Sequence, residues 1–294
     1  MKIGLIIQRF GSSGGGMERY TSRLAAELLA AGHQLHVFAR EWDASTPDRN
    51  LSLHRVPVWR GMSFLRELSF ALAGRKLVAR HPCDLVFSLE RTIQQDICRA
   101  GAGCHREWLA QRRRYLPPGR RWTLGCNPLH LTLLWLERRT FSPAHTRFVI
   151  ANSQRGKAEI VRHYGFPAER IFVVQNGVNG ERFRPRSTAR STDEFTLLFV
   201  GTGFERKGLE FCIRVLAELP DRVRLRVAGR GNQARYQRLA HRLGVADRFQ
   251  FLGNVGKIED LYAQGDLLLH PAIYEPFSNA CLEAMACGLP VVTS

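Results

Sequence analysis

The chain has 294 residues with 45% apolar and 23% charged side chains, and its 43 Lys+Arg against 26 Asp+Glu give a net charge of +17. That length suits two domains of ordinary size, and the composition excludes a disordered or fibrous chain. The positive excess, 38 of its cations being Arg and five Lys, points to a polyanionic partner: nucleic acid, an anionic membrane or a phosphorylated substrate.

The opening residues lack the long apolar core and cleavage site of a signal peptide and run directly into an apolar strand at 3–7. A Gly-rich turn follows. Met17, Tyr20, Leu24, Leu28 and Ala31 then fall on one face of a helix, which Gly32 stops. Residues 34–39 read as the next strand, and 51–56, 84–88, 148–151 and 171–174 as later ones, with helical patterns between several of them. This alternation argues for a parallel sheet covered by helices. Residues 183–195 are polar, contain Pro185 and have no apolar period, so they read as a linker between a first domain at 1–182 and a second at 196–294. Strands are expected again at 195–200, 224–228, 249–252, 267–270 and 289–293, and helices at 209–217, 233–243 and 279–286. The chain reaches Ser294 in what reads as mid-strand, so the second domain is expected to be incomplete.

The seven Cys contain no C-x2-C pair and are expected to be reduced thiols of a cytosolic protein. The most apolar later stretch, 129–136, is far short of the about 20 residues needed to cross a bilayer. Seven Arg lie between Arg99 and Arg121 against one acid, Glu107, with Trp108, Leu109, Tyr115 and Trp122 interleaved. Cations with interfacial aromatics suit peripheral contact with an anionic leaflet. No nucleic-acid motif accompanies the charge, so no nucleic-acid partner is expected.

Three segments carry candidate chemistry. Gly11, Gly14, Gly15 and Gly16 lie between the first strand and first helix, where free N–H groups and the helix dipole favour phosphate. The dinucleotide fingerprint fails there because it needs Gly at Arg19, and a Walker A loop fails because it needs Lys at Met17. A literal G-x-S-x-G match around Ser13 follows the very first strand, which argues against a hydrolase elbow. The second segment, Gly203-Phe204-Glu205-Arg206-Lys207-Gly208, also follows a strand and offers the fork of Arg and the compact charge of Lys to a diphosphate. The third holds Glu275 and Glu283 in E-x7-E spacing, with Phe277, Ser278 and Asn279 at a helix start. Carboxylates suit sugar hydroxyls, and a glycosidase-like pair is the other reading of this feature alone. No Asp-x-Asp metal motif, H-E-x-x-H or Cys/His cluster appears, so no metal is expected.

Together, GGMERY at 15–20, GFERKG at 203–208 and the E-x7-E segment resemble the retaining, nucleotide-sugar-dependent glycosyltransferases of family 4. DLLLHPA, LEAMACGLPV and GLEFCIRVLAELP are most similar to its lipopolysaccharide-core glucosyltransferases. The resemblance implies an α/β fold of two Rossmann-like domains facing across a cleft (GT-B). It also implies a metal-independent hexosyltransferase without a cofactor, moving a hexose, with glucose expected, from a nucleotide diphosphate sugar, with UDP-glucose expected, to a lipopolysaccharide-core or other lipid-linked glycan acceptor, peripheral on the inner leaflet of the cytoplasmic membrane. Arg206, Lys207 and Glu275 are then catalytic, the cations neutralising the diphosphate and Glu275 contacting the transferred sugar. Gly15, Gly16, Phe277, Ser278, Asn279 and Glu283 bind donor, Glu283 through the ribose hydroxyls. The loop 254–257 lies near the base, and Asp96 is an acceptor-side residue. The chain departs from these relatives at Tyr20, where they tend to carry an acid. The alternative is an inactive nucleotide-sugar or polyanion binder of the same fold.

Overall fold

A computed structural model describes residues 1–11, 16–43, 48–185 and 193–294. The chain divides into two compact units, Met1–Gln175 and Asn176–Ser294. Each is a parallel sheet with helices on both faces.

In the first unit the elements run β1 (Lys2–Phe10), α1 (Gly16–Ala30), β2 (Gln34–Trp42), β3 (Leu51–Arg55), α2 (Ser63–Arg80), β4 (Leu85–Ser88), β5 (Gln95–Ala100), α3 (His105–Tyr115), α4 (Thr123–Cys126), α5 (Pro128–Thr140), β6 (Thr146–Ala151), α6 (Gln154–Tyr164) and β7 (Ile171–Val173). The seven strands lie in the order β3-β2-β1-β4-β5-β6-β7. β1 is a continuous apolar run over 3–7 because both of its faces are covered there. Leu5 packs with Leu35, Val37 and Ala25 on one face, while Ile6 packs with Phe38, Val56 and Phe70 on the other.

The second unit runs β8 (Phe195–Val200), α7 (Leu209–Ala217), β9 (Val223–Ala228), α8 (Gln233–Arg242), β10 (Phe249–Gly253), α9 (Ile258–Gln264), β11 (Leu267–His270), α10 (Asn279–Ala286) and β12 (Val291–Thr293), in the order β10-β9-β8-β11-β12. Again the central strand alternates between two cores. Leu197 and Phe199 meet α7 and α8 through Ile213 and Tyr236, and Leu198 meets Tyr262, Cys281 and Ala284. Val178 and Phe183 pack into that second core, so the chain joins the second unit well before β8. From β8 it winds outward to β9 and β10, then returns to the other side as β11. The reversal makes β8/β11 a topological switch point, where the loops leaving the carboxyl ends diverge and open a crevice.

One strand has no counterpart in the sequence reading. β5 is half polar, yet Gln95 is satisfied by Thr92 and Thr146, and the Asp96 carboxylate accepts the Val86 N–H at 2.8 Å. None of the seven cysteines is in a disulfide. Among the described residues no helix is long and apolar enough to cross a membrane.

Candidate functional site

The loop after β8 and the loop after β11 meet at the switch point of the second unit. Their backbones are joined directly: the Ile273 and Tyr274 N–H groups donate to the Arg206 carbonyl at 2.9 and 3.4 Å. Gly208, at φ +78°, leaves so little room that a Cβ would stand 1.8 Å from the Pro271 carbonyl oxygen. Only glycine allows this approach.

This joining brings Glu275 against both cations. Its Oε2 lies 3.2 Å from Lys207 Nζ and 3.4 Å from Arg206 Nη2. The side chains of Lys207 and Glu275 keep 13% and 11% of their exposure and that of Arg206 31%, so Arg206 is the more open of the cations. Lys207 folds back over Gly201, where a Cβ would come within 2.5 Å of its Cδ, at φ +149°. The arrangement is a dense positive charge balanced by one carboxylate, fixed in a partly dry crevice where electrostatic interactions gain strength.

The rest of the segment forms the start of α10. Ser278 caps the helix, its Oγ accepting the Cys281 N–H at 3.3 Å. Asn279 is exposed, and its Oδ1 accepts from Asn176 Nδ2 at 2.7 Å; Phe277 is half-buried beside them. Glu283 lies further along α10, where the Tyr262 hydroxyl donates to its Oε2 at 3.1 Å. Residues 254–257 follow β10 at the same carboxyl edge.

Two residues here were missed by the sequence reading. Tyr262 orients Glu283 from α9. His270 ends β11 with 1% exposure, and neither ring nitrogen has a hydrogen-bond partner. Burial, then the charges of Lys207 and Arg206, push its pKa down to about 4. It is a neutral imidazole behind the cationic pair. Its position directly before the loop was the available signal.

The remaining predicted residues lie in the first unit. Gly16 opens α1, and Gly15, like Ser13, lies outside the described residues. Asp96 stands near the amino end of β5, bound to the Val86 N–H, and so is away from the carboxyl edge of its sheet. At that edge the first unit's own switch point, β1/β4, carries Glu90. Burial raises this carboxyl to about 7 against the lowering effect of the Gln8 N–H, which donates to Oε1 at 3.1 Å; Glu67 raises it further. Tyr20 faces Arg99, whose guanidinium lies 3.8 Å from the ring centroid. This is a cation–π contact.

From the last turn of α3 to the start of α4 the basic aromatic segment is open to solvent. Arg113, Arg114, Tyr115, Arg120, Arg121 and Trp122 are all exposed.

The model for "Glycosyltransferase Family 4" matches residues 14–182 and that for "Glycosyl transferases group 1" residues 181–294. Lipopolysaccharide glucosyltransferase WaaG of Escherichia coli K12 is 28% identical across 95% of this chain and 77% of that protein. A probable transglycosylase of Burkholderia thailandensis E264 is 32% identical across 95% of this chain and 74% of its own length. A crystal structure of WaaG, a glycosyltransferase involved in lipopolysaccharide biosynthesis, superposes with a TM-score of 0.83 at 26% identity, over 99% of this chain and 80% of that one. The two parallel α/β units are thus those of a GT-B fold.

Proposed function

The chain belongs to glycosyltransferase family 4, and from that premise we propose that it transfers glucose, with retention, from UDP-glucose to a lipopolysaccharide-core or other lipid-linked glycan. The observation that carries the reading is the convergence of Arg206, Lys207 and Glu275 at the switch point of the second unit. The similarity to a lipopolysaccharide glucosyltransferase supports the sugar and the acceptor class.

In this mechanism the diphosphate lies on Arg206 and Lys207, and the sugar lies near Glu275. Glu283, steadied by Tyr262, takes the ribose hydroxyls, and the N–H groups at the start of α10 face sugar and phosphate. The bond from the anomeric carbon to the phosphate oxygen breaks and its electron pair passes to the diphosphate. The acceptor oxygen attacks from the same face and gives its proton to the departing phosphate oxygen. Negative charge grows on the diphosphate as the bond lengthens, so the cations act mainly in the transition state. They supply the neutralising charge, and the transfer is proposed to need no metal. The exposed segment of Arg113, Arg114, Tyr115 and Trp122 holds the enzyme on an anionic membrane, beside a lipid-linked acceptor.

A panel of nucleotide sugars, scored by nucleotide release with core oligosaccharide as acceptor, tests the reading. UDP-glucose should give the fastest acceptor-dependent release, and a chelator should leave it unchanged. Tight donor binding with no release from any member would favour the inactive binder instead.

A further inference from the structure

On the opposite side of the first unit from its carboxyl edge, three imidazoles meet. His36 is near the amino end of β2, His54 is on the neighbouring edge strand β3, and His81 follows the last turn of α2. β2 and β3 pair with Phe38 level with His54, and His36 precedes Phe38 by two residues, so all three rings stand on one sheet face. The His36 and His54 rings stack at 5.0 Å and 8°, His54 and His81 approach to 4.1 Å, and Phe38 packs on His54 at 4.9 Å. One ring nitrogen from each histidine lies within 4.8 Å of the others, and all three residues are only half-buried.

We propose that His36, His54 and His81 form a binding site for a divalent transition ion, zinc foremost, which clips the edge strand β3 and the end of α2 to β2. Imidazole is the ligand such ions favour among nitrogen donors. With Zn–N bonds of 2.0–2.1 Å, two nitrogens of a tetrahedral site stand roughly 3.4 Å apart. His36 Nδ1 and His54 Nε2 are 2.8 Å apart, a hydrogen-bond separation. Turning either ring by a small angle exchanges that bond for two bonds to the ion, and the His81 nitrogen, within 4.8 Å of the other two, joins them by a turn of its own ring. The fourth position faces solvent and takes a water.

Burial, helped by Lys2 and His81, lowers the pKa of His36, and burial with His81 and His36 lowers that of His54. A lowered pKa favours the neutral imidazole that metal ligation uses. The charged groups nearby are Lys2 and Asp84, which accepts the Lys2 N–H at 2.8 Å. Cys83 donates its thiol to the His81 carbonyl, and burial raises its pKa, so it remains a thiol. The three histidines come from three separate elements, so no local sequence motif marks them.

The test uses the whole chain freed of metal, titrated with Zn²⁺ by equilibrium dialysis and with Co²⁺ by visible absorption. A single equivalent is expected, with the intense d–d bands of a tetrahedral Co²⁺ centre and a rise in Tm. His54→Gln and His81→Gln should each abolish the bands and the rise, while melting, without metal, at the wild-type temperature. His81 lies at a helix end, so its variant keeps the test valid should His54→Gln unfold the edge. Absence of saturable binding to the wild type, or binding undiminished in both variants, would overturn the proposal. Sugar transfer should not respond to either variant, which separates this site from the reading above.

Discussion

Replacing Lys207 by Ala removes the more buried of the two cations that face Glu275. A unit charge about 4 Å from the developing phosphate charge is worth about 4 kcal/mol at the effective dielectric of such a site. Loss of one preorganised stabilising group elsewhere costs about 10²–10³ in kcat, or about 2.7–4 kcal/mol. Arg206 remains on the same carboxylate at 3.4 Å, so some neutralisation survives, and a fall of about 10²-fold in kcat is expected. The folding penalty should stay below the about 3–5 kcal/mol of a fully stranded buried charge, for the same reason. Initial rates of UDP release from UDP-glucose with acceptor separate kcat from KM, and a thermal melt of the same sample checks the fold. An unchanged kcat with only KM raised would refute the argument, because it would mean that Lys207 serves ground and transition states equally.

Gly201→Ala should mimic that loss without removing the charge, since its Cβ would meet Lys207 Cδ at 2.5 Å; reduced kcat in a folded variant checks it. Glu275→Gln should depress transfer more than UDP binding, measured by turnover against calorimetric titration of UDP. His270 has a folded pKa of about 4 against about 6.5 unfolded. The unfolded state therefore takes up the proton first, and stability is full above pH 6.5 and falls by about 3 kcal/mol as pH drops to 4. His270→Phe should flatten that part of the stability–pH curve measured by urea unfolding. Changing Arg112, Arg113 and Arg114 to Glu should weaken flotation with anionic liposomes, and equal binding of the wild type to neutral vesicles would contradict the electrostatic account.

Much of the architecture was legible because the physics is local. β1 and β8 are apolar runs ended by glycine, and each must be covered on both faces, which a doubly wound sheet achieves. Arg206 and Lys207 declared themselves by standing just past such a strand, where any α/β sheet binds its ligand. β5 was illegible because Gln95, Asp96 and Arg99 interrupt its apolar pattern, and their partners Thr146, Val86 and Met17 come from other elements. The same strand explains Asp96, whose carboxylate is committed to the Val86 N–H at the amino side of the sheet. Sequence spacing could suggest that Glu275 and Glu283 act together, but only the folded loops join Glu275 to the two cations and Glu283 to Tyr262. His270 and the three clustered histidines make the same point. Pattern along the chain reports which faces are buried, a property of neighbours a few residues apart. Which charges and imidazoles converge is set by strand order and by close approaches such as Gly208 on Pro271, and these exist only once the sheets have formed.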